Sequence, residues 1–82
     1  MSAVKDAFSS KFKVYPNPTS GKVFIESDFK VLKVEITDPT GRLLFVEKIN
    51  NQDFIQLPSS ATGIFILKIE TAYGTAIKRV VK

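Results

Sequence analysis

The sequence contains no histidine, no cysteine and no tryptophan. The absence of histidine removes the commonest general base, the neutral imidazole ligand of metals and every catalytic triad that uses imidazole. The serines, among them Ser59 and Ser60, therefore have no histidine to activate them as nucleophiles. The absence of cysteine leaves the redox compartment undetermined, because many exported bacterial proteins also lack disulfides.

The sequence also lacks long hydrophobic runs and clustered charges. No apolar stretch approaches the roughly 20 residues that span a bilayer, and residues 1–11 lack the apolar core of a signal peptide. We therefore expect no bilayer insertion. If the chain is exported, we expect its export signal to lie elsewhere or upstream in a longer parent protein. The net charge of +4 comes from basic residues spread along the chain, although Lys78, Arg79 and Lys82 crowd its end. Scattered lysines are typical of a solvated surface rather than of a nucleic-acid-binding stripe.

Acidic residues and glycines occur singly. Asp28 and Asp53 each stand alone, whereas a calcium loop needs several oxygen ligands at close spacing. Isolated glycines do not form a phosphate-binding loop. We predict from these absences that the domain is not an enzyme, uses no cofactor or metal and binds no nucleic acid.

Short segments in which apolar and polar residues alternate, separated by turn signals about every 8–12 residues, make up most of the chain. They are Phe12–Tyr15, Lys22–Glu26, Leu32–Thr37, a segment after Arg42, Asp53–Leu57, Ile64–Glu70 and Ala76–Lys82. This pattern predicts an all-β fold, a seven-stranded antiparallel immunoglobulin-like β-sandwich. An OB-like barrel is the alternative, but it usually has five longer strands and often a helix. We predict a linker or expression leader at residues 1–11 and a domain at residues 12–82.

The turn at Asp38–Arg42 predicts a register for the third and fourth strands. Asp, Pro and Gly suit a three-residue hairpin loop in which Gly41 takes a left-handed conformation. Leu32, Val34 and Ile36 are expected to share one face. The register that pairs Asp38 with Arg42 then places Ile36 opposite Leu44 and Val34 opposite Val46. The predicted core is Val34, Ile36, Leu44, Val46, Ile55, Leu57, Leu67 and Ile69. Pro16–Gly21 is interpreted as a rigid connector rather than a ligand site.

The segment from Gly63 to Lys82 predicts a hairpin that reverses at Tyr73-Gly74. Ile77, Val80 and Val81 are the expected apolar members of its second strand. Because the sequence stops at Lys82, flush with that strand, we expect an open strand edge that a receptor could extend by β-augmentation.

Three stretches read together as a family pattern: Val14–Pro18 followed by Gly21, the form D-x-x-G-R at Asp38–Arg42, and Gly63-x-Phe65-Ile66-x-Lys68 before a basic end at Lys78–Lys82. Their order and spacing resemble the type A C-terminal sorting domain of the type IX secretion system of Bacteroidetes-type bacteria. The resemblance covers residues 12–82. Phe65 departs from the family, which usually has Tyr there.

The resemblance implies a signal that directs a cargo protein from the periplasm across the outer membrane. Its implied partners are the outer-membrane secretion machinery, an N-terminal cargo domain and a sortase-like protease that removes the signal. The cargo then remains at the cell surface or is released. The residues that the resemblance suggests for recognition, with the adjacent Arg79, are Gly63, Phe65, Lys68, Lys78, Arg79 and Lys82. Those suggested for the structural motif are Pro16, Asn17, Pro18, Gly21, Asp38, Gly41 and Arg42.

The alternative function from the residues alone is a small accessory module that binds carbohydrate beside a hydrolase. Such modules commonly present a flat aromatic platform to sugar rings. The sequence has no Trp and only two Tyr, and Phe12, Phe45 and Phe65 occupy strand positions suited to packing.

Overall fold

The computed structural model describes residues 8–50 and 52–82, which form seven β-strands and one short 3-10 helix. The 3-10 helix is Ser9–Lys11. The strands are β1 (Lys13–Tyr15), β2 (Lys22–Glu26), β3 (Val31–Thr37), β4 (Leu43–Lys48), β5 (Phe54–Gln56), β6 (Ile64–Thr71) and β7 (Gly74–Val81). The predicted strand count and the all-β fold class are confirmed.

The strands form two antiparallel sheets. One has the order β1-β2-β5 and the other has the order β4-β3-β6-β7. The hairpin β6–β7 is the longest pairing, with Ile64 opposite Val81 at one end and Thr71 opposite Gly74 at the other. In the four-stranded sheet, β4 and β7 are therefore the two edge strands.

The core lies between the sheets and draws on both. Its buried side chains are Phe12, Val23, Ile25, Val34, Ile36, Ile55, Leu57, Phe65, Leu67, Ile69, Ala76 and Val80. Six of the eight predicted core residues are in this set, and Val34, Ile36, Leu67 and Ile69 each expose 0% of their surface. The packing role expected of Phe12 and Phe65 is confirmed by exposures of 1% and 4%.

The prediction that Leu44 and Val46 are core residues is wrong. Thr37 pairs with Leu43, but the register then shifts and Ile36 pairs with Phe45 instead of Leu44. This β-bulge adds one residue to β4, and because side chains alternate, every later residue of the strand changes face. Phe45 packs against the core, while Leu44 and Val46 are 38% and 43% exposed.

One further facing prediction, that Leu32 shares the face of Val34 and Ile36, is also wrong. A second irregularity between Val31 and Lys33 takes Leu32 off the inner face, so that it is 46% exposed and Val31 packs on the core instead. On β7 the buried face carries Ala76 and Val80, and Ile77 points outward with 45% exposure.

The packed unit includes part of the segment that the sequence analysis assigned to a linker. Phe8 contacts the rings of Phe12 and Phe29, at centroid distances of 5.2 and 5.1 Å. Ser9 is buried and 7% exposed. Residues 1–7, the rest of the predicted linker, lie outside the described residues.

We predict that truncations on opposite faces of the four-stranded sheet differ in how much stability they remove. Ile36→Ala or Leu67→Ala should lower the free energy of unfolding by about 2–5 kcal/mol, because each leaves a cavity in a closed core. Leu44→Ala should cost less than about 1 kcal/mol, since surface substitutions do little. Urea denaturation measures all three. Equal losses for Ile36→Ala and Leu44→Ala would contradict the shifted register.

Candidate recognition surface: the two edges of the four-stranded sheet

The loop between β1 and β2 binds the outer edge of β7. The side-chain amide of Asn17 donates to the Arg79 carbonyl at 3.1 Å, and its carbonyl accepts from the Val81 N–H at 3.0 Å. The Thr19 N–H donates to the Val81 carbonyl at 2.8 Å. Asn17 thus makes the pair of bonds that a peptide group of a neighbouring strand would make.

The loop is held in place by bonds of its own. The buried Thr19 hydroxyl donates to the Lys22 carbonyl at 2.6 Å and accepts from the Gly21 N–H at 3.0 Å. Gly21 has a φ of +149°, and its carbonyl accepts from the Leu57 N–H at 2.8 Å. A Cβ at Gly21 would lie 2.7 Å from the Gln56 side-chain nitrogen, so glycine suits both the conformation and the space.

The expectation of an open edge on the final strand is wrong along much of β7. Besides the bonds to Asn17 and Thr19, the Ile77 N–H donates to the Ser9 hydroxyl oxygen at 2.9 Å. Residues from both the predicted linker and the predicted connector therefore occupy the positions where a receptor strand would pair. The sequence analysis missed this cover because its two sides are more than sixty residues apart.

The end of β7 is fixed by Lys82. Its backbone exchanges two hydrogen bonds with Gly63, at 2.9 and 3.0 Å. Its ammonium donates to the carbonyls of Pro58, Ser59 and Ala61 at 3.0, 3.1 and 2.8 Å. Three donors meet three acceptors, so this ammonium is engaged in holding the β5–β6 loop.

The structure does not bring the six suggested recognition residues onto one surface. Phe65 is buried in the core. Lys68 and Arg79 stand exposed on the outer face of the four-stranded sheet. Lys78 is half-buried and shares the opposite face with Ala76 and Val80.

The turn at Asp38–Arg42 forms as predicted. The backbone N–H of Asp38 donates to the Arg42 carbonyl at 3.0 Å, and Gly41 has a φ of +95°. The Asp38 carboxylate accepts from the Thr40 hydroxyl and from the N–H groups of Thr40 and Arg42. The Arg42 guanidinium lies 3.5 Å from the same carboxylate. These contacts, the Thr40 hydroxyl foremost, lower the pKa of Asp38.

An aromatic row crosses the outer face of the three-stranded sheet, and the sequence analysis did not identify it. Tyr15 and Phe24 stack with centroids 5.6 Å apart and planes at 20°, and Phe54 follows 6.0 Å from Phe24. The Lys22 ammonium lies 4.3 Å from the Phe54 ring centroid. The rings cover one another and Lys22 covers the third, so the row is not a flat platform for sugar rings. Pairing Tyr15 with Phe24 across β1 and β2 was the signal that could have found it.

Other kinds of site are not evident in the described residues. Among residues 8–50 and 52–82, no group of three or more acidic side chains could hold a metal ion. Within the same ranges, no helix is both long and apolar enough to cross a bilayer. A depression of about 530 Å³ is lined by Ile25, Phe29, Val31, Ile49 and neighbouring polar residues.

Comparison with known protein families decides among these interpretations. The profile of the secretion system C-terminal sorting domain matches residues 13–82, nearly all of the described structure. The chain belongs to this family. No curated protein and no solved structure matches it.

The sorting domain is the C-terminal signal for type IX secretion, and the family resemblance and function predicted from the sequence are confirmed. Sorting domains are not a catalytic family. The assignment implies interaction with the secretion machinery and with an N-terminal cargo, and export towards the cell surface or the extracellular space. Accessory carbohydrate binding is not favoured.

We predict that Asn17→Ala lowers the free energy of unfolding by about 1–2 kcal/mol, since it removes two hydrogen bonds from the edge of β7. Ser20→Ala, in the same loop, is the matched control, because the exposed Ser20 side chain makes no hydrogen bond within the described residues. Urea denaturation measures both. Identical stability of the two variants would show that Asn17 does not hold the edge.

We predict that the contribution of Asp38 to stability depends on pH. Because its pKa is lower in the folded state, the carboxylate stabilises the fold above its ordinary pKa, and this contribution is lost as the pH falls through the folded-state value. The difference in Tm between the natural chain and Asp38→Ala should therefore be greatest at neutral pH and shrink in acid. Asp28→Ala controls for the loss of one acidic residue. A difference that grows in acid would contradict the assignment.

Proposed function

We propose that the secretion machinery recognises the folded sorting domain rather than a linear peptide. The observation that carries the proposal is the contact between two of the three family motifs. Asn17 of the first motif binds Arg79 and Val81 in the basic final stretch, and Gly63 pairs with Lys82. These motif residues are adjacent in the fold although they lie far apart in the sequence, so they form one unit when the domain is folded.

We assign different roles to the suggested recognition residues. Lys68 and Arg79 are the candidates for contact with a partner, because their side chains are exposed on the outer face of the sheet. Gly63, Phe65 and Lys82 act through the fold, since Phe65 is buried and Lys82 binds three carbonyls. Lys78 stands beside Ser9 and Ser10 at the covered edge of β7.

The route that we propose starts in the periplasm and ends at the cell surface or outside the cell. The machinery carries the domain and its cargo across the outer membrane, and a sortase-like protease then removes the domain. We place the cut before Phe8, because Phe8 packs on two rings and Ser9 is buried against β7. Mass spectrometry of the released domain would test this position, since a first residue after Phe8 would refute it.

We further propose that the isolated domain has no hydrolytic, transfer or redox activity. The sequence has neither histidine nor cysteine, and the metal-binding clusters that could replace them are absent from residues 8–50 and 52–82. The domain then contributes binding to the secretion process, and the machinery supplies the chemistry.

The experiment that tests recognition of the folded state is a reporter fusion. The 82-residue chain is placed after a periplasmic reporter in a type IX host, and the secreted fraction is measured for the natural chain, for Ile36→Asp and for Ser20→Asp. Ile36→Asp buries an unpaired charge and should unfold the domain and retain the reporter. Ser20→Asp adds the same charge at an exposed loop position away from β4 and controls for it.

Export of the natural chain together with retention of Ile36→Asp supports the proposal. Equal export of the natural chain and Ile36→Asp, with circular dichroism confirming that Ile36→Asp is unfolded, would mean that a linear peptide is the signal.

A further inference from the structure

The two edges of the four-stranded sheet differ in whether other parts of the chain hydrogen-bond to their outer side. On β7, four outward-facing backbone groups have partners: the N–H of Ile77, the carbonyl of Arg79, and the N–H and carbonyl of Val81. On β4, no group of the described residues bonds to the outer side. We infer that β4 is the docking edge, and that it receives an extended apolar strand with acidic flanking residues from a protein of the secretion machinery. This inference rests on the proposed recognition of the folded domain.

The register identifies the backbone groups that β4 offers. The Ile49 N–H donates to the Leu32 carbonyl at 3.1 Å, so the backbone groups of Ile49 point towards β3. Backbone hydrogen-bonding direction alternates along an antiparallel strand. The N–H and C=O groups of Glu47 and Phe45 therefore also point towards β3. Val46 and Lys48 then direct their N–H and C=O groups away from the sheet. A docked strand would pair with these two residues.

The side chains of β4 suit an apolar strand. Leu43, Leu44 and Val46 are 52%, 38% and 43% exposed. Three neighbouring apolar side chains on an exposed edge strand favour association with a strand from another chain. The bulge at Leu43–Leu44 disturbs only the beginning of the strand, and the register from Phe45 to Lys48 is regular. Two of the usual protections, cover by a loop and interruption by proline, are thus absent from Phe45–Lys48.

Charge argues for an acidic partner and against a second copy of the domain. The chain carries a net charge of +4. Arg42 precedes β4, and at the other end of the strand Lys48 stands opposite Lys33. A second copy would bring another +4 to the same edge. In an antiparallel pairing of two copies, the register that sets Leu44 of one copy opposite Val46 of the other also sets Arg42 of one opposite Lys48 of the other. This happens at both ends of the paired strands, and the like charges repel. Acidic residues flanking a partner strand would meet these cations favourably.

The test replaces the outward N–H of Val46. Val46→Pro removes this donor without removing a bond to β3, and proline is tolerated on an edge where its nitrogen faces outward. Val46→Ala shortens the same side chain but keeps the N–H and is the matched control. Each variant of the 82-residue chain is fused to the periplasmic reporter, and its secreted fraction and Tm are measured.

We expect Val46→Pro to lower secretion at least about fivefold, the effect of losing one net hydrogen bond in the docked complex. Val46→Ala should reduce it less, and both variants should melt close to the natural chain. If Val46→Pro does not fold, Val46→Lys provides the second variant, because a lysine on an edge blocks strand pairing and keeps the backbone intact. Lys48→Glu should also lower secretion, since it repels an acidic flank.

Normal secretion of folded Val46→Pro, or of Val46→Lys in its place, would overturn the inference and leave folded-state recognition standing. Failure of the natural chain to be exported would instead overturn both. Light scattering that shows a dimer of the natural chain, abolished by Val46→Pro, would assign the edge to a second copy and also overturn the inference.

Discussion

The carboxamide of Asn17 is the contact that closes the outer edge of β7 near its end. It acts as a peptide group on the outer edge of β7, donating to Arg79 and accepting from Val81. Because Asn17 belongs to the loop of the three-stranded sheet, this contact joins one sheet to the edge strand of the other. Thr19 adds a backbone bond beside it, and Lys82 ties the end of β7 to the β5–β6 loop. The family motifs therefore specify how the last strand is held.

The strands, their number and most of the core could be predicted from the sequence because they depend on local alternation. Val34, Ile36, Ile55 and Leu67 needed only the period of two along a strand. Leu44 and Val46 could not be placed correctly, because the bulge that turns them outward adds one residue to β4 without a glycine or proline to mark it. The cover of β7 was also beyond local patterns, since Ser9 and Ile77 meet only in the folded chain.

The asymmetry of the four-stranded sheet is the basis of the docking edge that we propose for sorting. A small basic domain with two open edges would be liable to pair with copies of itself. Closure of β7 by Ser9, Asn17 and Thr19 leaves β4, at Phe45–Lys48, as the uncovered edge of this sheet. There the exposed leucines and Val46 lie between cationic ends. The aromatic row lies on the other sheet, where its rings pack against one another and against Lys22.

Amide hydrogen exchange in the 82-residue chain under native conditions distinguishes a covered β7 edge from an open β4 edge. We expect slow exchange at Ile77 and Val81, whose N–H groups bond to Ser9 and Asn17. We expect rapid exchange at Val46 and Lys48, whose N–H groups face solvent. Comparable protection at the two edges, or faster exchange at Val81 than at Val46, would contradict this difference between the edges.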